Sequence, residues 1–525
     1  MPRSSGRSSA LVAAGIFLSR IAGLIRQAIF ANYLGLSSVA DAVQLSFRIP
    51  NLLQNLFGEG VLSASFIPVY ARLLGEGRER DAGRVAGAVA GLLGLLMAVL
   101  VAAGVGASPL LVTVLAPGFA GEKRELTITL VRILFPATGI LVLSAWCLGI
   151  LNSHRKFFLA YAAPVAWNAA VIAAAIAGRH AAEARLAVII AWGAVAGSLL
   201  QVAVQLPSVL ALVRGLKLST GTRDPEARTV LRNFGPALMG RGVNQISAYV
   251  DSIIASLLGN SAVAGVANAQ TLFMLPVSLF GMSISAAELP EMSAATGKGE
   301  AHAAALRARL VGGLHRMAFF IVPCAVGFLL LGQVVAAALY QRGRFTLDDS
   351  RYVWAILAGS TVGLLASSLS RLLSSTFYAL GDTRTPLRYA VVRVALTTAL
   401  GFSCALLLPP WLGIELRWGA VGLTASAGFS AWVEFVLLRR ALRGRIGTAE
   451  FEPWYLVKLW GTALVAGAVG LALWRATTLG PVVTGTLVLL PYAAVYAALT
   501  LALRIPTAWE ILRAARKLAA APTGS

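Results

Sequence analysis

Residues 83–106 read GRVAGAVAGLLGLLMAVLVAAGVG, an apolar run in which Arg84 is the one charged residue. A helix of about 20 apolar residues crosses a hydrocarbon core of roughly 30 Å. Runs of this kind recur from Leu11 to Leu503 with only short polar joints between them, and 58% of the 525 residues are hydrophobic while 13% are charged. Soluble proteins are about 45 to 50% apolar. The sequence therefore predicts an integral membrane protein that crosses the bilayer many times.

The predicted spans are helices, because the chain lacks the roughly ten-residue alternating pattern of barrel strands and lipid leaves no backbone amide unbonded. We predict an all-α protein of about 14 transmembrane helices. They cover residues 10–34, 39–72, 83–106, 126–151, 157–178, 185–213, 229–258, 263–293, 310–340, 352–380, 386–408, 418–438, 455–475 and 480–503.

Positive charge is distributed unevenly among the joints. If the N-terminus is cytoplasmic, the cytoplasmic joints hold roughly three times as many Lys and Arg residues as the opposite joints. This bias predicts that both termini lie in the cytoplasm. It also explains the net charge of +22 without a nucleic-acid partner. Arg3 and Arg7 precede the first apolar run as in a signal peptide, but Arg20 and Arg26 interrupt it, so we predict a retained first helix.

A weak internal repeat links the two halves. Leu34-Gly35 and Leu56-Phe57-Gly58 recur as Leu258-Gly259 and Leu279-Phe280-Gly281, at an offset equal to six predicted spans. An even number of spans relates the halves by an axis along the membrane normal. We therefore predict a six-helix lobe at 1–214, a pseudo-symmetric six-helix lobe at 215–445, and two extra helices with a cytoplasmic tail at 446–525. The facing lobes would enclose a central cavity.

Small residues inside the spans are predicted to serve packing. Gly87 with Gly91, and Gly193 with Gly197, have the GxxxG spacing that lets helices approach closely. Three cysteines lie far apart within apolar runs and are interpreted as small core residues: Cys147, Cys324 and Cys404.

Arginines within spans are the first candidates for function. An arginine at the bilayer centre costs roughly 2.5 to 3.5 kcal/mol, so it should face a partner or a water-filled cavity. Arg20, Arg26 and Arg48 lie in the first two spans and could line a cationic vestibule for an anionic substrate, phosphate above all. The alternative is that they pair internally with Asp41 and Glu59 or extend their charged ends to the membrane interface.

The second half carries a more balanced set of charged residues within spans. These are Arg241, Asp251, Glu288, Glu291, Arg371, Arg393 and Glu434. Asp251 could bind a coupling cation or a proton, or it could be neutralised by an arginine such as Arg393. The sequence leaves both alternatives open.

Catalytic and cofactor motifs are missing from the sequence. It contains no GxxxxGK[ST] loop, GxGxxG, HExxH or GxSxG, and its four histidines are scattered. A membrane-embedded glycosyltransferase is the best enzyme hypothesis, but it would need acidic groups on a substantial external loop. We predict a protein that is not an enzyme and that uses no cofactor and no metal.

Four motifs in the first seventy residues carry a family resemblance: SRIAGLIR at 19–26, Asp41-Ala42, RIPNLL at 48–53 and FGEG at 57–60. They resemble the MurJ (MviN) lipid II flippase family of the MOP exporter superfamily. The resemblance is specific over residues 10–75, with looser support at 152–168 and 378–386.

The resemblance implies a function. Family members expose a cationic cavity alternately to each membrane face and bind the diphosphate of an undecaprenyl-linked peptidoglycan precursor, whose tail lies beside the last two helices. Arg20 and Arg26 match the family's cavity arginines, Asp41 and Glu59 its acidic positions, and Asp251 lies near a sodium-ligating aspartate of some members. The implied setting is the bacterial inner membrane, with the lipid-linked glycan, membrane lipid and the cell-wall synthesis machinery as partners.

Two departures from the family pattern keep alternatives open. Family members commonly have an arginine where this chain has Gln54, and an Asp-Arg pair where it has Gln270-Thr271. Arg48 could compensate for the first, and Arg241 or Arg393 for the second. The departures leave open a flippase for another lipid-linked polysaccharide unit. A cation-coupled drug antiporter, which the basic first lobe disfavours, and a scaffold that transports nothing are separate hypotheses.

Overall fold

The computed structural model describes residues 3–219, 224–294, 300–448 and 452–520, and these residues form helices and short connections without a strand. This confirms the all-α prediction. The helices are α1 Arg3–Leu34, α2 Ser38–Phe57, α3 Glu59–Ser65, α4 Ile67–Gly75, α5 Glu79–Gly106, α6 Ser108–Leu115, α7 Gly121–Ser153, α8 Phe157–Ala177, α9 Glu183–Leu212, α10 Pro225–Ser256, α11 Ala262–Pro276, α12 Ser283–Ser293, α13 Glu300–Tyr340, α14 Leu347–Thr361, α15 Leu364–Ala379, α16 Arg384–Phe402, α17 Leu408–Trp411, α18 Gly419–Ile446, α19 Pro453–Ala476, α20 Pro481–Ala502 and α21 Pro506–Ala520. Val277–Met282 and Ser403–Leu407 are π-helical, and Leu416–Trp418 is a 3₁₀ turn.

Within the described ranges, 10 helices are long and apolar enough to cross a membrane, or 11 if α14 and α15, bent by 42° at their junction, form one span. Each matches a predicted span. The predicted spans at 10–34, 39–72 and 229–258 are not among them. The predicted span 39–72 is broken at Gly58 and Phe66, and parts of 10–34 and 229–258 have side chains outside those that the structure describes. The total of 14 stays a prediction.

The chain divides into two compact units, Met1–Ala264 and Gly265–Ser525. The units are defined by packing, whereas the predicted lobes were defined by a sequence repeat. The lobe boundaries at 214 and 445 therefore stay a prediction.

In the first unit, glycines permit two close approaches of different kinds. A Cβ added at Gly193 or Gly197 would collide with α8, so α8 and α9 approach closely where the sequence predicted it. Gly87 and Gly91 instead face the backbone of Lys217 and Ser219 in the non-helical segment 213–219. The GxxxG spacing on α5 thus accommodates a connecting segment where the sequence predicted a second helix.

Both copies of the repeat begin with a left-handed turn at a glycine and are later interrupted. Gly35 has φ 59° before α2, and Gly259 has φ 92° before α11. The predicted second span is broken at Gly58 and again at Phe66. The later copy passes through the π-helical segment that contains Gly281. The break at Gly58 and the π-helical segment both lie at the repeated Phe-Gly motif.

In the second unit, three tyrosines fasten α19 and α20 to the long helix α13. Tyr455, Tyr496 and Tyr492 donate hydrogen bonds of 3.0, 2.7 and 2.6 Å to the carbonyls of His315, Phe319 and Pro323. Pro323 has no N–H to give the Phe319 carbonyl four residues earlier. The Tyr496 hydroxyl takes the place of this missing donor, so the Phe319 carbonyl keeps a hydrogen bond in lipid.

Candidate functional site

Arg26 is held against an aromatic platform in the first unit. Its guanidinium carbon lies 4.9 Å from the centre of the Trp167 ring and 5.8 Å from that of Phe30. Trp167 is fixed by a 3.1 Å hydrogen bond from its ring N–H to the Ala194 carbonyl and by edge contact with Phe47. No carboxylate in the described chain pairs with Arg26, and its buried Nε has no hydrogen-bond partner there. Among the described residues, Arg26 is thus a cation that contacts two aromatic rings and no anion.

The other two predicted cavity arginines differ from Arg26. Arg20 is exposed on α1, and no described residue forms an ion pair or hydrogen bond with it. Arg48 is half-buried on α2 and interacts electrostatically with Asp251 of α10. Tyr249 ties the same two helices together through a 2.9 Å hydrogen bond from its hydroxyl to the Arg48 carbonyl. Asp251 thus has a basic neighbour within its own unit.

Asp41 is completely buried and both of its carboxylate oxygens are engaged. Lys123 at the start of α7 lies 2.6 Å from Oδ2. The backbone N–H of Ser261 donates to Oδ2 at 2.8 Å, and that of Ala264 donates to Oδ1 at 2.7 Å. Asp41 therefore caps the N-terminus of α11 from another helix, where a negative charge is favoured. This geometry favours a structural role.

One acidic and one basic candidate have side chains outside the described part of the molecule. Glu59 begins α3 and Arg241 lies in α10, but their side chains are not among those described. Their predicted roles stay predictions.

Acidic side chains of the second unit pair with arginines. Arg393 of α16 lies 3.0 Å from Glu434 of α18, whose side chain is only 9% exposed. Arg371 of α15 interacts electrostatically with both residues, so this cluster holds two cations against one carboxylate. Glu288 pairs with Arg316, and Glu291 pairs with Arg309 at 2.9 Å.

The positions that depart from the family pattern carry neutral side chains in ordinary helical surroundings. Gln54 is half-buried near the end of α2, and Gln270 is exposed on α11. The Thr271 hydroxyl donates to the Ala267 carbonyl of its own helix at 2.9 Å. Neither position supplies a cation.

Two residues that matter to this site escaped the sequence analysis. Lys123, the partner of Asp41, stands in a polar joint where a lysine is expected for orientation alone. Trp167 lies in an apolar span where aromatic residues are common. The motif Asn152 to Asn168, which carried the looser family resemblance, was the one signal that pointed towards Trp167.

Comparison with known proteins identifies the family. The family model described as "Lipid II flippase MurJ" matches residues 30–492. The chain belongs to the MurJ family. A lipid II flippase MurJ of Burkholderia cenocepacia is 30% identical over 469 residues, covering 87% of this chain and 88% of the relative. A probable lipid II flippase MurJ of Bdellovibrio bacteriovorus is 33% identical over 454 residues, covering 83% and 82%. MurJ proteins are membrane transporters, which confirms the prediction that the chain is not an enzyme.

Solved structures agree with the MurJ assignment at the level of the fold. A lipid II flippase MurJ in an inward closed conformation has a TM-score of 0.75 and 22% identity, covering 94% of this chain and 99% of that one. An inward-facing multidrug resistance MATE transporter of the MOP superfamily has a TM-score of 0.66 and 19% identity, covering 81% and 95%. The fold predicted from the sequence is thus confirmed as that of MurJ and MATE transporters.

Proposed function

We propose that this chain flips a lipid-linked peptidoglycan precursor, joined to undecaprenyl diphosphate, from the cytoplasmic to the outer leaflet. In this proposal a cationic cavity opens alternately to the two faces of the membrane. Membership of the MurJ family supports the substrate class. The relatives named above are lipid II flippases or probable ones.

The environment of Arg26 carries the proposal. A desolvated cation over a tryptophan face gains roughly 2 kcal/mol. A charge in a lipid-embedded helix costs more than that unless an anion is near. The Nε of Arg26 has no acceptor among the described residues. A diphosphate offers several oxygens to a planar guanidinium fork, so the substrate itself would supply the missing anion.

The other predicted site residues have different roles in the proposed mechanism. Arg20, exposed on the same helix, adds a second cation for the diphosphate. Arg48 is partly neutralised by Asp251, and we propose that it tunes the charge of the cavity more than it binds substrate. Asp251 then serves as a counter-charge and Arg393 as the partner of Glu434, while Glu59 remains a proposed substrate-facing residue.

A second candidate is a flippase for another lipid-linked glycan. Gln54 and Thr271 favour it, because both stand where MurJ members commonly carry arginine, and fewer cations suit a substrate with fewer anionic groups. The diphosphate chemistry at Arg26 would be the same. The two candidates differ only in the sugar or peptide that the diphosphate carries.

The cellular setting follows from the proposed substrate. We propose a multi-pass protein of the bacterial inner membrane with both termini in the cytoplasm, as the distribution of Lys and Arg indicates. Enzymes that polymerise the flipped precursor on the outer face are proposed as partners.

Complementation tests the proposal. Bacteria depleted of their own lipid II flippase would express this chain, its Arg26→Ala variant or an Arg351→Ala control at matched membrane levels. Arg351 is exposed and pairs with Asp348 at 3.1 Å, so its loss removes the same charge from another place. We expect rescue by the parent and the control alone. Rescue by Arg26→Ala would refute the role of Arg26, and failure of a well-expressed parent would favour the second candidate.

A further inference from the structure

A cavity of about 350 Å³ in the unit Gly265–Ser525 has an apolar floor and a basic edge. Leu310 and Leu314 of α13, Leu373 of α15 and Phe435 of α18 form the apolar part, and all four are buried. The basic edge consists of three arginines of α18: Arg439, Arg440 and Arg443. This volume lies within the range of about 300 to 1,000 Å³ of small-molecule sites.

The three arginines of this basic edge lie exposed on one face of α18, because positions three and four apart on a helix are neighbours. None of them forms an ion pair with any residue that the structure describes. Nearby arginines are paired: Arg307 with Glu300, and Arg445 with Asp382 at 3.5 Å. Three neighbouring arginines at the cavity thus have no ion-pair partner among the described residues.

Three like charges within two turns repel one another, and a helix tolerates them better when an anion is bound. Arginine forks suit phosphate oxygens in particular. The apolar floor is unfavourable for a free phosphate ion, because a buried ion needs polar groups on every side. A ligand with a phosphate at one end and a hydrocarbon chain at the other satisfies both parts of the cavity.

The position of the cavity identifies the source of such a ligand. The helix that carries the arginines is part of a segment apolar enough to cross the membrane, Leu416–Ile446, and the arginines lie in its last two turns. Lipid head groups lie at the ends of membrane-crossing helices, and basic pockets between such helices bind anionic head groups.

We propose that this cavity binds an anionic phospholipid of the surrounding bilayer. The phosphate lies against Arg439, Arg440 and Arg443, and the beginning of an acyl chain lies on Leu310, Leu314 and Leu373. The site is separate from Arg26, and the proposal holds whatever the chain transports. Its test therefore measures lipid binding and needs no transport assay.

The experiment compares lipid binding to the parent chain and three variants, each full-length and in detergent micelles, by native mass spectrometry with added phosphatidylglycerol. The variant carries Arg439→Gln, Arg440→Gln and Arg443→Gln. A control with the same loss of charge carries Arg351→Gln, Arg417→Gln and Arg475→Gln. A separate Leu314→Trp variant fills the apolar floor without changing any charge. Thermal unfolding of each form establishes that it is folded.

Each basic residue near an anionic surface contributes about a factor of five to binding, so the triple variant should bind phosphatidylglycerol about a hundredfold more weakly. The control should bind like the parent, Leu314→Trp should bind more weakly, and soluble glycerol phosphate should not compete. Equal affinity of variant and parent would overturn the proposal. So would an equal loss in the control, equally tight binding of phosphatidylcholine, or competition by glycerol phosphate at the same concentration as the lipid.

Discussion

Replacing Asp41 by alanine should destabilise the first unit severely. The change removes the ion-pair partner of Lys123, whose side chain is only 10% exposed and whose Nζ lies 2.6 Å from the carboxylate. Removing one partner of a buried ion pair costs about 3 to 5 kcal/mol. Lys123 would keep a 3.2 Å contact with the Asn260 side-chain oxygen and a position 4.0 Å from the Phe119 ring centre. These residual contacts place the expected loss near the lower end, at about 3 kcal/mol.

Unfolding of the purified chain in mixed micelles, titrated with sodium dodecyl sulfate and followed by circular dichroism, measures this loss. Asp41→Asn keeps an acceptor for the N-terminus of α11, so it should lose less than Asp41→Ala. The double variant Asp41→Ala with Lys123→Met removes the stranded ammonium and should be more stable than Asp41→Ala alone. A coupling between the two residues of about 0.5 to 3 kcal/mol is expected for groups in contact. A loss below about 1 kcal/mol for Asp41→Ala would refute the structural role.

Three further predictions concern other contacts. Arg393→Ala leaves the mostly buried Glu434 without its ion pair and should lower the free energy of unfolding by about 1 to 3 kcal/mol in the same assay. Adding Glu434→Gln should restore part of that stability. An unchanged unfolding midpoint for Arg393→Ala would contradict the pairing. Tyr496→Phe removes the donor to the Phe319 carbonyl and should cost about 0.6 to 1.7 kcal/mol, whereas no loss would show that water replaces it. Burial lowers the pKa of His154 below its ordinary 6.5. The stability that its neutral form contributes is therefore present above pH 6.5 and is lost as the pH falls through the lowered pKa. His154→Gln should reduce the fall in thermal midpoint below pH 6.5, and a pH profile identical to that of the parent would contradict this prediction.

The spans were predictable because an apolar run of sufficient length has few structures available in lipid. The ten helices that qualify alone, and the bent pair α14 and α15, all coincide with predicted spans. The predicted span 39–72 is broken into three helices at Gly58 and Phe66, a division that hydropathy alone does not reveal.

The partners of the charged residues could not be predicted from the sequence. Lys123 lies 82 positions from Asp41, and a lysine in a joint carries no sign of a buried contact. The extended segment that fills the groove of Gly87 and Gly91 has no sequence signature that distinguishes it from a partner helix. Such contacts depend on how the chain folds back on itself, which helix periodicity does not encode.

At the proposed site the sequence singled out Arg20 and Arg26, whose substrate-binding role stays a prediction. Arg20 and Arg26 were selected because charge inside a span needs a reason, and the structure leaves Arg26 without an anion in the described chain. The aromatic platform was missed because Trp167 in an apolar span looks like any lipid-facing residue. Its ring N–H bond to the Ala194 carbonyl becomes visible only once α8 and α9 are packed together.

The most direct test of the central claim is translocation of labelled lipid II by the purified chain in vesicles, measured by enzymatic modification of lipid II that reaches the opposite leaflet. A charged hydrogen bond to phosphate contributes about 1.5 to 3 kcal/mol, so Arg26→Ala should reduce the rate about 10- to 100-fold while Arg351→Ala leaves it unchanged. Translocation at the parental rate by Arg26→Ala would contradict the account.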